Sequence, residues 1–234
     1  MALFRKLQKP SGLRYGLYLL LGLLVLPYFL TLVYLVVPPP VTTMMLWKAV
    51  EGNAIDYRWL PLAKTSHNLV RSVVTAEDAR ICEHAGVDWE TFQAVAREAL
   101  DNEGGASRGG STITQQVAKN LFLWPSRSYI RKALELPLAM WIDLIWSKRR
   151  VVEVYINTAE WAPGIYGAEA AAQHHFKTSG KVLTKTQAAR LAAALPNPAV
   201  RNAGKPGPKV RAKARTIRKR VNSTVPYLDC LKLE

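Results

Sequence analysis

The stretch RGGSTITQQVAKN, residues 108–120, decides how this chain is read. It closes a loop, Asp101 to Gly110, that carries Gly104, Gly105, Gly109 and Gly110 and so has the freedom of a segment that moves over a site; its plain alternative is a surface linker. Thr112 and Gln115 stand at the spacing of a capping box, in which hydroxyl and amide satisfy the first free backbone groups of a helix. Ser111 to Asn120 therefore reads as a helix start. Gln116, Lys119 and Asn120 share one of its faces, and the amides at such a start bind phosphate well.

Outward from this segment the apolar rhythm is helical. Upstream, Leu69, Val70, Val73 and Val74 suit a helix of mixed burial that ends near Glu77 and Asp78. His84, Gly86 and Asp88 follow, with Asp88 placed to cap a helix from Trp89 to Leu100. Downstream, Ile130 to Trp146 keeps apolar residues at intervals of three and four, through Leu134, Leu138, Trp141 and Ile145. Lys148 to Asn157 is a shorter helix. Gly164 and Gly167 bracket Tyr166 before a small-residue helix, Ala168 to His174. Thr184 caps another, which ends at Leu195 before Pro196 and Pro198. Period-two alternation is scarce, so the expected fold class is mainly α.

The amino terminus has a different character. Tyr15 to Val37 runs without a charge, long enough to cross a hydrocarbon core as a helix. Arg5, Lys6, Lys9 and Arg14 precede it and no Lys or Arg follows before Lys48, an asymmetry that places the amino terminus in the cytoplasm. A cleaved signal peptide is the rival; the run is too long for one and no small-x-small site follows. Five segments result: a cytoplasmic basic tail (1–14), a transmembrane helix (15–37), a linker leading into the lobe (38–60), a catalytic domain (61–225) and a C-terminal tail (226–234).

The net charge is +15, and removing residues 1–40, with four basic and no acidic residues, leaves 28 basic against 17 acidic. In a membrane-tethered domain that excess favours phospholipid headgroups or a phosphorylated lipid over nucleic acid. The basic run Lys205 to Arg220, free of acids, is either a solvated face or a surface for anionic membrane. Cys82 and Cys230 admit one bridge, with two free thiols at least as plausible from spacing alone.

Four segments, spanning about Val73 to Pro198, together resemble the glycosyltransferase domain of the class A penicillin-binding proteins, and especially its monofunctional form, the biosynthetic peptidoglycan transglycosylases. They are EDARICEHAGVD (77–88), RGGSTITQQVAKN (108–120), RKALE (131–135) and KRRVVEVYIN (148–157), the last followed by GIYGAEAAAQHHF (164–176). Their order and number carry the resemblance. It implies a lysozyme-like, two-lobe fold whose smaller lobe dips into the membrane. It also implies a lipid II polymerase that makes β-1,4-linked glycan with inversion and releases undecaprenyl diphosphate. The place implied is the periplasmic side of the inner membrane, in a single-pass protein with other cell-wall synthesis proteins as partners. Ile81 stands where the family usually has Phe, and His175 where Tyr is common; both are packing positions. No Ser has Lys three residues on, so penicillin should not acylate this chain.

Joining two sugars needs a base for a hydroxyl proton and help for the leaving group. The resemblance makes Glu77 the base, with Asp78 beside it able to raise its pKa. Lys119, Arg127, Arg131 and Lys132 are the cations expected to meet a diphosphate. Glu135 either orients those cations, four residues beyond Arg131, or supports the donor's anomeric centre directly. Ser111, Thr112, Gln115, Gln116 and Asn120 are expected sugar and phosphate contacts, with plain capping the alternative for Thr112. Tyr155 and Asn157 should brace the cleft. His84 reads as a structural hydrogen-bonder, and His174 and His175, about 100° apart on a helix, do not share a metal, so no metal site is assigned. No cofactor is required, although magnesium or manganese could accompany the diphosphate. Two other classes fit parts of the sequence. A lytic glycan hydrolase would share the single Glu but has no diphosphate to neutralise, and a non-enzymatic membrane scaffold would explain the charge but not RGGSTITQQ.

Overall fold

A computed structural model describes residues 12–101, 109–126 and 128–233. It is mainly helical, as the sequence requires: ten α-helices and three short strands among the described residues. The helices are α1 (Gly12–Tyr34), α2 (Thr43–Val50), α3 (His67–Glu77), α4 (Trp89–Asp101), α5 (Ile113–Phe122), α6 (Tyr129–Ile145), α7 (Lys148–Thr158), α8 (Ala168–Phe176), α9 (Lys185–Ala194) and α10 (Pro208–Thr224).

The caps foreseen are present. Thr112 and Gln115 close the capping box of α5, Thr184 and Gln187 close that of α9, and the Asp88 carboxylate accepts from the amide and hydroxyl of Thr91 at 3.0 and 2.8 Å. One apolar core joins α3, α5, α6, α7 and α9, with Leu69, Val73, Ile113, Val117, Ile142 and Leu191 all at 0% exposure. Burial of such aliphatic side chains contributes about 1.5–3 kcal/mol each before conformational entropy is subtracted.

α1 is the one described helix long and apolar enough to cross a membrane, over Arg14–Tyr34. It ends three residues earlier than the uncharged run, and its last turns are seated on the rest of the chain. The Trp141 indole donates to the Thr31 hydroxyl and the Trp146 indole to the Thr31 carbonyl, each at 2.9 Å. Arg150 donates to the carbonyls of Tyr34 and Val37 at 2.8 Å. The segment after it is packed: Met45 in α2 is buried, and the Tyr57 hydroxyl donates to the Pro39 carbonyl at 2.8 Å.

A small sheet escaped the sequence reading. β1 (Asp56–Tyr57) pairs in parallel with β3 (Ile165–Tyr166), which pairs antiparallel with β2 (Glu160–Ala162). Strands of two or three residues show no alternation. The signal available was the glycine pair: Gly164 and Gly167 adopt φ +73° and +91°, and a Cβ there would lie 2.1 Å from the Ala54 carbonyl and 2.5 Å from that of Arg58. Both glycines are therefore required by backbone conformation and by closeness of the neighbouring strand.

Cys82 and Cys230 form a disulfide with Cα atoms 5.8 Å apart, across a separation of 148 residues. Of the two alternatives that spacing left open, the structure has the bridge. The contact is tertiary: the C-terminal turn packs on α7, where Arg149 donates to the carbonyls of Leu231 and Lys232, and spacing cannot reveal that.

Two outcomes follow from this packing. Gly167→Ala should lower unfolding free energy by about 2 kcal/mol or more in chemical denaturation. Breaking the disulfide with Cys82→Ser and Cys230→Ser should cost about 2–4 kcal/mol by the same assay, with reductant reproducing the loss in the parent chain.

Candidate active site

Glu77 is the last residue of α3, and Asp78 caps that helix end. The two neighbouring carboxylates meet different surroundings. Asp78, 8% exposed, uses both oxygens inside the protein: Oδ2 accepts from the Ile113 amide at 2.9 Å, and Oδ1 pairs with Nε2 of His84 at 2.9 Å. It therefore fastens the start of α5 to the end of α3. Asp78 thus has a structural task besides lining the cleft cavity, and His84 is a hydrogen-bonding partner within the fold, as expected.

Glu77 faces the cleft. Nε2 of Gln116 donates to its Oε2 at 3.1 Å, and the Tyr155 hydroxyl donates to Oε1 of Gln116 at 3.0 Å. Tyr155, fully buried, thus fixes which end of the Gln116 amide meets Glu77. Desolvation is the largest influence on the Glu77 carboxyl and raises its pKa, with Asp78 adding to the rise; Gln116, Lys213 and Lys119 pull the other way, and the net direction is up. Lys213 belongs to α10 and was read only as part of a basic run. Burial lowers its pKa while Glu77 acts to raise it. Only the tertiary fold brings that turn of α10 to the end of α3.

The expected cations that the structure describes lie on α5 and α6. Lys119 on α5 is desolvated, which lowers its pKa, and it lies in the fields of both Glu77 and Glu135. It makes no salt bridge within 4.0 Å among the described residues. On α6, Arg131 and Lys132 both donate to Glu135, one to each carboxylate oxygen, and Lys132 also donates to the Ser111 hydroxyl at 2.9 Å. Glu135 is 2% exposed. Its geometry is that of the orienting carboxylate, which holds two cations at the cleft and leaves Lys119 unpaired. Arg127 lies outside the described residues, as do Gly104 and Gly105 of the glycine loop.

Three further expected contacts are largely buried in the fold. Thr112, besides capping α5, donates to the Gly86 carbonyl at 2.6 Å and is 4% exposed. Gln115 is fully buried in the capping box. Asn120, 8% exposed, lies on the side of α5 that packs against α2. Ser111 and Gln116 remain at the surface of the cleft. Asn157 is buried and pairs through its amide with the backbone of Leu60, at 2.8 and 2.9 Å, so it binds the segment before α3 instead of lining the site.

Glu77, Asp78, Gly109, Gly110, Ser111 and Thr112 surround an open cavity of about 220 Å³. A desolvated carboxylate, a neutral amide aimed at it and fixed cations nearby can accept a proton and stabilise negative charge a short distance away.

Comparison with known proteins agrees with this arrangement. The transglycosylase family model matches residues 45–223. A biosynthetic peptidoglycan transglycosylase of Agrobacterium fabrum is 51% identical over 213 residues, covering 91% of this chain and 93% of that protein. One from Rhodopseudomonas palustris strain HaA2 is 51% identical over 212 residues, covering 90% and 92%. A third, from Nitrobacter hamburgensis, is 53% identical over 196 residues, covering 83% and 85%. With the carboxylate, the amides and the cations of the cleft carried on the segments that these proteins share, the chain belongs to the transglycosylase family.

Proposed function

We propose that this chain is a peptidoglycan glycosyltransferase that polymerises lipid II into β-1,4-linked glycan, inverting the anomeric carbon and releasing undecaprenyl diphosphate. The observation that carries the reading is a desolvated Glu77 in the field of Lys119, which itself lies in the fields of Arg131, Lys132 and Glu135 of α6. The relatives, named as biosynthetic transglycosylases, support the synthetic direction.

In this reading Glu77 takes the proton of the acceptor's 4-hydroxyl. The freed oxygen attacks the anomeric carbon from the face opposite the diphosphate, and the bonding electrons leave with that group. Lys119, Arg131 and Lys132 meet the developing charge, with Glu135 keeping the latter two in place. Ser111 and Gln116 offer neutral hydrogen bonds, and Gln116 moderates the rise in the Glu77 pKa. The chain's own cations supply the charge, so no cofactor is required by this scheme; magnesium or manganese bound to the diphosphate would enter as part of the substrate.

Two features support a location outside the cytoplasm. α1 is read as a single membrane anchor with its amino terminus in the cytoplasm, and the disulfide suits an oxidising compartment, which puts the catalytic domain outside the inner membrane.

Glu77→Gln should reduce polymer formation from labelled lipid II by at least about 10²-fold, measured by product size before and after lysozyme digestion. Its melting temperature should match or exceed the parent's at neutral pH. A raised carboxyl pKa means stability is lost as pH rises through that pKa, and Gln removes that cost. Loss of folding with loss of activity would contradict the assignment. Activity should climb with pH as Glu77 ionises, and Gln116→Ala, by removing a bond to the carboxylate, should move that rise to higher pH. Charge reversal at Lys119 and Arg131 separates synthesis from lysis: polymerisation should collapse, whereas unimpaired shortening of added glycan would favour a hydrolase.

A further inference from the structure

A second cavity lies apart from this cleft. It measures about 450 Å³ and is formed by α3, α9 and α10. Arg71, Lys185, Arg215, Arg218 and Lys219 line it, and no acidic side chain does. None of the five makes a salt bridge within 4.0 Å among the described residues. Five cations around one concavity repel one another, and an anion bound among them would relieve that repulsion. Val221 and Val225 give the same cavity apolar wall, so the matching ligand carries a charged group on a partly apolar body.

The position of the cavity identifies the source of that ligand. Arg71 and Val225 also line an adjoining smaller cavity that reaches Asp229, Lys232 and Leu233. The Lys232 carbonyl accepts from Arg149, and the next residue, Arg150, donates to the carbonyls of Tyr34 and Val37. Adjacent residues in the first turn of α7 thus grip the C-terminal turn and the outer end of α1. The C-terminal turn that adjoins the basic cavity and the end of the apolar helix are tied to the same turn of α7. Basic residues near an anionic leaflet contribute about 1 kcal/mol each, and the effect fades within a Debye length, so proximity to the anchor decides whether they act on lipid.

We infer that the cavity between α3, α9 and α10 binds the phosphodiester headgroup of an anionic phospholipid, a second lipid contact distinct from the catalytic cleft. The inference rests on α1 being the membrane anchor. Bound there, a headgroup would hold the domain against the leaflet on a second side and fix its tilt relative to α1.

The test uses the full chain in neutral detergent, titrated calorimetrically with dihexanoyl phosphatidylglycerol, dihexanoyl phosphatidylcholine or inorganic phosphate. The anionic lipid should bind, and Arg215→Gln with Arg218→Gln should weaken it at least tenfold. Lys205→Gln with Lys209→Gln removes equal charge before and at the start of α10, outside the cavity, and should change binding less than twofold. Equal binding of phosphatidylcholine, equal binding of inorganic phosphate, or equal weakening in both variants would overturn the inference. Both variants should polymerise glycan normally in detergent. Extraction of the parent chain from vesicles by alkaline carbonate would overturn the anchor reading alone, whereas absent lipid binding by an anchored, active chain overturns this inference alone.

Discussion

The site depends on the carboxylate of Asp78. It is almost fully buried, and each oxygen holds a different part of the chain: one the first amide of α5, the other the ring of His84 in the loop beyond. Hydrogen bonds to a buried charge contribute about 1.5–3 kcal/mol each, and a partner left unmatched in the interior would cost as much. The Thr112 hydroxyl adds a second tie to the same loop through Gly86. Between them these contacts set the distance from the end of α3, where Glu77 sits, to the start of α5, which carries Gln116 and Lys119.

That arrangement divides labour between two neighbouring carboxylates. Asp78 is held by two donors, one on each oxygen, whereas Glu77 has one side-chain donor among the described residues, Gln116, and is desolvated. Environments that push adjacent acids apart mark acid and base roles in many enzymes. The same division recurs among the cations. Arg131 and Lys132 are held by Glu135, whereas Lys119 is kept desolvated and unpaired, a state costly to the fold and useful only where negative charge arrives.

Much of this was legible in the sequence because it rests on local rules. The capping boxes at Thr112 and Thr184, the cap at Asp88 and the apolar rhythm of α6 depend on residues three or four apart, which a sequence displays directly. The reach of Lys213 to Glu77, the Cys82–Cys230 bridge and the sheet of β1, β2 and β3 join residues far apart in the chain, and no local pattern encodes them. The internal bonds of Asp78, Thr112 and Gln115 were likewise hidden from the sequence. Polar residues in a motif near a catalytic acid look like ligand contacts, yet a buried polar group must first satisfy its own hydrogen bonds. Motif membership cannot say which side of the helix wall a side chain occupies.

The central claim is that this cleft keeps Glu77 as a poised base beside an Asp78 held by two donors. Its most direct test is a carbon-13 NMR titration of the carboxyl groups in the full chain, with Glu77→Gln used to assign the signal. Glu77 should titrate above the ordinary glutamate range and move further up when Gln116 is replaced by Ala, with a midpoint matching the acid limb of activity. A Glu77 carboxyl that titrates like a solvated glutamate and ignores Gln116 would contradict the account.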